Sequence, residues 1–187
     1  MSCTKSPCAG DMNQIIWLQK ATITQDTESG APTMAWTNVT QMWAEVMPFA
    51  GRERIEAQQV TPELSHKIRV RYQDNVMAER RLLLPQNSDI LGAAISNASV
   101  TAITVSDTDL IKCDRPTVIR CESEFMIVTA GFGTTALTVT RGAFGSTAAA
   151  HAISTTVIRM AILEIDSVID TGNAHVELIV NCKMREM

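Results

Sequence analysis

Three histidines, five cysteines and one run of alternating basic residues are the side chains here with chemistry to offer. His66, His151 and His175 lie in separate segments. None sits in a Cys, Ser or carboxylate pattern that builds a nucleophile and its base. His66 opens a strand pattern, His151 follows an Ala-rich turn and His175 adjoins a Gly-Asn turn, so each is assigned a structural role. Cys3, Cys8, Cys113, Cys121 and Cys182 are odd in number, form no CxxC, and have no His at metal-ligand spacing. Cys3 and Cys8 fall in a polar terminal segment expected to be mobile. Cys113 and Cys121 flank Pro116 and pair only if their strands adjoin. Free thiols in a reducing cytosol are favoured over a disulfide or a metal site. Gly131-Phe132-Gly133 lacks the third glycine and the following helix of a phosphate loop. Arg141-Gly142 reads as a turn, with Gly142 and Gly145 free to take positive φ. Asn38-Val39-Thr40 and Asn97-Ala98-Ser99 are glycosylation sequons by letter, and matter only in an exported protein. No catalytic residue, cofactor or metal is expected.

The basic run is the feature with two readings. In residues 66–72, Ile68, Val70 and Tyr72 share one face of a strand, and Lys67, Arg69 and Arg71 share the other. That stripe is either a solvated strand face or an electrostatic contact. The contact would be with an acidic neighbouring subunit or with DNA passing through a ring. Glu164, Asp166, Asp170 and Glu177 form an acidic C-terminal section that suits the first partner. Opposite faces of opposite sign fit a ring whose subunits meet head to tail.

Charge and composition narrow the class. The net charge of −4 conceals a gradient: residues 1–84 balance nine Lys/Arg with nine Asp/Glu, while residues 161–187 hold two against five. Gripping nucleic acid takes a basic excess that neutralises phosphates, which argues against a DNA-binding regulator. A conduit, where DNA slides past without sticking, remains compatible. Hydrophobic residues make up 45% and aromatics only 4%, so the expected core is aliphatic and rich in the ten Met. No apolar run approaches the ~18 residues that span a bilayer. The first 14 residues lack a signal peptide's apolar centre, and a soluble protein made in the cytoplasm is expected.

The positioning elements are strands almost throughout, and the expected class is mainly β. Early strands are predicted near residues 20–25, 35–39 and 42–47, with a hairpin turn at 26–32 marked by Gly30 and Pro32. Residues 51–60 are rich in helix formers and predict one short helix or helical loop ending before Pro62. In the last strand Val176, Leu178, Val180, Cys182 and Met184 share a face, which places Cys182 in the core. Near Pro85 the composition turns to Thr, Ser, Ala and Gly. Strand patterns recur at 100–105, 117–121, 125–129, 137–140 and 155–158, reading as a compact β-domain of about five strands. From Ala161 the charged, alternating style returns.

Read as if joined, the two flanks resemble the phage head-tail joining family. The resemblance runs in order through Ala9-Gly10-Asp11-Met12-Asn13, Lys20–Gln25, Trp36-Thr37-Asn38-Val39 and Met42-Trp43-Ala44-Glu45-Val46. It continues through Gly51-Arg52-Glu53 with Ala57 and Gln59, then 66–72 and 162–170. It implies a structural, non-enzymatic virion protein of a tailed bacteriophage: a small β-barrel that forms a homo-oligomeric ring in the neck. Implied partners are further copies of itself, a portal or adaptor protein, a tail or tail-terminator protein, and packaged DNA passing without sequence-specific binding. No membrane is involved. Candidate subunit or DNA contacts are Gly51, Arg52, Glu53, Lys67, Arg69 and Arg71. The family turns tightly where this chain carries residues 85–160. The expected organisation is therefore a connector barrel of residues 1–84 and 161–187, with residues 85–160 inserted at a hairpin tip. The insert resembles a β-module recurrent in phage virion proteins, most distinctively over residues 137–151. The alternative is a virion binding module whose insert recognises a capsid protein or a surface glycan.

Overall fold

The computed structural model describes residues 10–25, 27, 30–49, 64–111 and 115–185. Its strands are β1 (Gln14–Gln25), β2 (Pro32–Pro48), β3 (Leu64–Arg71), β4 (Arg81–Ile90) and β5 (Ala102–Thr104). They continue with β6 (Thr117–Cys121), β7 (Glu124–Ala130), β8 (Ala136–Thr140), β9 (Thr156–Asp170) and β10 (Glu177–Arg185). Three one-turn 3-10 elements accompany them, so the fold is mainly β as the alternation predicts. The chain divides into two compact units. One is Met1–Ala21, Val39–Leu84 and Ile162–Arg185; the other is Thr22–Asn38, Pro85–Ala161 and Glu186–Met187.

In the first unit the strand order is β10-β3-β2-β1-β4-β9, and β10 also pairs with β9. Six strands therefore close on themselves in the hydrogen-bonding pattern of a barrel, which removes the exposed edges that invite aggregation. The register explains which residues fill it. Val70 stands opposite Ala44 and Leu178, Ile68 opposite Val46 and Val180, and Leu18 opposite Leu82. Ile16, Leu18, Ala44, Ile68, Val70, Leu82, Val180 and Cys182 are all essentially buried, so one face of each strand supplies the core. One polar pair is also enclosed. Gln19 and Arg81 are register partners on β1 and β4, and Arg81 Nε donates to Gln19 Oε1 at 2.6 Å. Burial, with repulsion from Arg185, pulls the Arg81 guanidinium down to about 10.

The second unit runs β9-β6-β7-β8-β5. Its last strand is tied back to the end of β4: Leu91 bridges Val105, Gly92 N donates to Thr104 O at 2.8 Å, and Ser106 N donates to Ile90 O at 3.0 Å. Leu91, Ile95, Ile103, Leu110, Ile119, Met126, Leu137 and Val157 form its core. The tight turn after β7 needs glycine at Gly131, where φ is +86° and an added Cβ would meet Ala136 O at 2.1 Å. Gly142 and Gly145 take positive φ, as their turn positions predict.

Three expectations are corrected. The strands predicted at 35–39 and 42–47 are one continuous strand, β2, because nothing between Pro32 and Pro48 breaks the extended backbone. The style changes near Pro85 and Ala161 fall inside β4 and β9, so composition shifts there without the chain turning. The core is aliphatic but not Met-rich: Met12, Met42, Met126 and Met160 are buried, while Met34, Met77 and Met184 are exposed. The helix expected at 51–60 lies outside the described residues, as do Cys3, Cys8 and Cys113.

Cys121 and Cys182 are free and buried. Burial, with Asp166 nearby, pushes the Cys182 thiol up to about 12; burial and the neighbouring Glu122 and Glu124 push Cys121 to about 11. Since the thiolate is the reactive form, native protein at neutral pH is expected to leave both unlabelled by a maleimide until denaturant is added. Rapid labelling of Cys182 in native protein would contradict its inward strand phase.

Candidate subunit interface

Lys67, Arg69 and Arg71 alternate with the buried Ile68 and Val70 on β3, so the stripe faces outward from the barrel. Antiparallel pairing brings acidic residues to it: Glu45 of β2 stands opposite Arg69, and Glu177 of β10 opposite Arg71. Arg69 forms an ion pair with Glu45, another with Asp11 at 3.4 Å, and a looser one with Glu177 at 3.9 Å. Its side chain is only 24% exposed. One guanidinium thus joins β2, β3, β10 and the segment before β1, and the pair Arg69–Glu177 is made within a single chain. Lys67, opposite Met47 and Asn181, is half-buried, whereas Arg71 is exposed.

Other members of the acidic section also have partners in the chain. Glu164 pairs with Arg185 and, at 3.9 Å, with Lys183. Asp170 lies 3.1 Å from His175 Nδ1, and His175 packs edge-on against Tyr72 with ring centroids 4.5 Å apart. His66 Nδ1 lies 2.9 Å from Ser65 Oγ, and burial lowers its pKa. The outward face also carries apolar surface. Trp43, two residues before Glu45 on β2, is 56% exposed. Ile169, opposite Ile179 in the β9–β10 ladder, is 48% exposed. Gly51, Arg52 and Glu53 lie outside the described residues.

A second cluster, in the other unit, escaped the sequence reading. Glu124 is fully buried at the start of β7, and five donors or ring atoms surround its carboxylate. Arg141 Nε and Nη2 each donate to it at 2.7 Å, and Gly142 N and Ala149 N each donate at 3.1 Å. His151 Nε2 lies 2.8 Å from Glu124 Oε2, while its Nδ1 lies 2.8 Å from Glu122 Oε2. Arg141 reaches further, donating to the carbonyls of Asn97 at 3.3 Å, Val100 at 2.8 Å and Ala149 at 2.5 Å. Burial alone would raise the Glu124 pKa. The bonds from Arg141, His151, Ala149 and Gly142 outweigh it and hold the carboxyl at about 2. These residues are 27 positions apart between Glu124 and His151, and no periodicity links them. The one local signal is Glu124 itself, a carboxylate entering the apolar run of β7.

Among the described residues, no three or more His, Cys, Asp or Glu side chains group to hold a metal, and no helix is long and apolar enough to cross a membrane. Residues 8–90 match the family model described as phage head completion protein. The match ends at the last residue of β4 and takes in β1, β2 and β3, which supply Glu45, Arg69 and Trp43. It supports the resemblance of this segment to the head-tail joining family. No curated protein matches the chain.

Proposed function

We propose, with residues 8–90 taken as a head-completion segment, that the chain is the repeating subunit of a connector ring in the phage neck. The ring closes the filled head, retains DNA without sequence-specific contacts, and offers a surface to the tail. Its neighbours are the portal or adaptor protein on one side and a tail or tail-terminator protein on the other. The observation that carries the reading is the family match joined to the outward barrel face, where exposed Trp43 and cationic Arg71 each adjoin the Ala44–Val70 pair of the β2–β3 register. Exposed Trp and Arg are the side chains that most often dominate binding energy at protein interfaces. Lys67 and Arg71 act at the subunit contact, and Arg69 holds the face together from within.

The test separates assembly from folding. Lys67→Glu with Arg71→Glu is expected to leave the melting transition of the isolated protein within about 1 kcal/mol of wild type, as outward positions usually do. Each reversed pair at a partly desolvated contact costs on the order of 1 kcal/mol per interface, repeated around a ring. Complementation of a gene-deleted phage should then yield filled heads that lack tails or leak DNA. Normal virions from the double variant would make the stripe a solvated face. Normal virions without the protein at all would remove the connector function.

We further propose that residues 85–160 are a module carried by the barrel. Replacing them with an Asn-Gly turn is expected to leave the strand ring β10-β3-β2-β1-β4-β9 folded, since its core is built from residues of the first unit. Circular dichroism and limited proteolysis read the outcome, and an unfolded product would show that the barrel depends on the insert. The glycan-binding alternative gains no support from the insert's aromatics: Phe125 is buried, and Phe132 and Phe144 are half-buried.

A further inference from the structure

Residues 142–151 form a segment that the rest of its unit holds by side-chain contacts, the Glu124 carboxylate chief among them, rather than by strand pairing. Between Gly142 and Ala150 no residue belongs to a strand, and the segment meets the sheet at the Ile95–His151 bridge, at Ser146 Oγ, which accepts from Phe125 N at 3.0 Å, and at Phe144, edge-on to Phe125. Its backbone is not relaxed: Phe144, a residue with a side chain, sits at φ +56° between Gly142 and Gly145, themselves at positive φ. Something must hold this shape. Glu124 does so at both ends, accepting from Gly142 N at one and from Ala149 N and the His151 ring at the other.

We propose that Glu124 is the release point of this segment, so that loss of its charge frees residues 142–151 as one piece while the β6–β7 ladder stays formed. The local charges give the reason. Glu122 and Glu124 face His151, and Arg141 faces Glu124; Arg120 on β6 donates to Glu122 O, and the Cys121 thiol lies among them. β8 and the segment from Ile95 to Val100 bring no further charge. With Glu124 neutral, the Arg141 guanidinium, only 5% exposed, keeps carbonyl partners but no counter-charge. A buried cation in that position is relieved by moving outward, and the segment attached to Arg141 moves with it. The ladder of β6 with β7 depends on backbone bonds and on Ile119, Met126 and Val128, none of which the carboxylate touches.

The sign of the effect follows from a carboxyl held at about 2 against an ordinary 4.5. Its contribution is complete above the ordinary value and fades as pH falls from there toward about 2. The experiment is amide hydrogen exchange on the full chain, corrected for the intrinsic pH dependence of exchange, at neutral pH and near pH 3. The amides of Gly142, Ala149, His151 and Ile95 are expected to lose protection roughly tenfold to a hundredfold near pH 3, while β6–β7 amides keep theirs. Glu124→Gln should show the acid pattern already at neutral pH, whereas Glu122→Gln, whose side chain is 62% exposed, should not. Protection lost equally in segment and ladder, or retained in both near pH 3, overturns the proposal. So does release by Glu122→Gln with none by Glu124→Gln. Should Glu124→Gln fail to fold, the wild-type titration decides alone.

Discussion

Arg69→Glu is expected to destabilise the barrel by about 3 kcal/mol, the range seen when one member of a largely buried ion pair is removed. The substitution sets a fourth carboxylate among Asp11, Glu45 and Glu177, where wild type has one guanidinium. Glu45 and Glu177 are only 26% and 15% exposed, so water screens that repulsion poorly. Asp11, 49% exposed, contributes less. Urea denaturation of the isolated protein gives the number, and Arg69→Met separates lost attraction from added repulsion with a smaller effect. A variant as stable as wild type would show that the cluster is incidental to folding. The contrast with Lys67→Glu/Arg71→Glu matters for function: three residues of one stripe divide into one that builds the wall and two that face outward from it.

Arg141→Met is expected to cost about 4 kcal/mol, because it leaves the fully buried Glu124 carboxylate without its bidentate partner. Three backbone carbonyls lose a donor as well, those of Asn97, Val100 and Ala149. The loss should fall on the second unit, and differential protection of the two units in hydrogen exchange locates it. Glu124→Gln with Arg141→Met should be milder than the sum of the single changes, since neither then strands a charge. If the double variant equals the sum, the two side chains do not act as a pair.

The parts of the fold that were legible in sequence are those written with a short period. The stripe on β3 and the inward phase of Cys182 follow from strict alternation, and both hold. Strands β6, β7 and β8 were legible because turn residues bracket each of them. Continuity was not legible: β4 and β9 run through abrupt changes of composition, and a strand needs only extended backbone and partners, not a uniform style. The Arg69 cluster was half legible. Its basic side shows in one strand, but its acidic side comes from three separate places that only register brings together. The Glu124 cluster was not legible, since Arg141 reads locally as the residue before a turn glycine. Its role depends on what lies across the sheet.

The closing strand of the barrel, β10, follows the other nine described strands in chain order. Ser65 of β3 waits 117 residues for the Cys182 carbonyl it bonds. During synthesis β3 and β9 therefore leave the ribosome with one edge each still open, and β10, Glu177–Arg185, covers both. An incomplete chain would carry two raw strand edges able to pair with other chains. A chain broken off before β10 is thus marked by its own stickiness, distinct from one whose barrel is closed. β10 serves as the seal of the barrel.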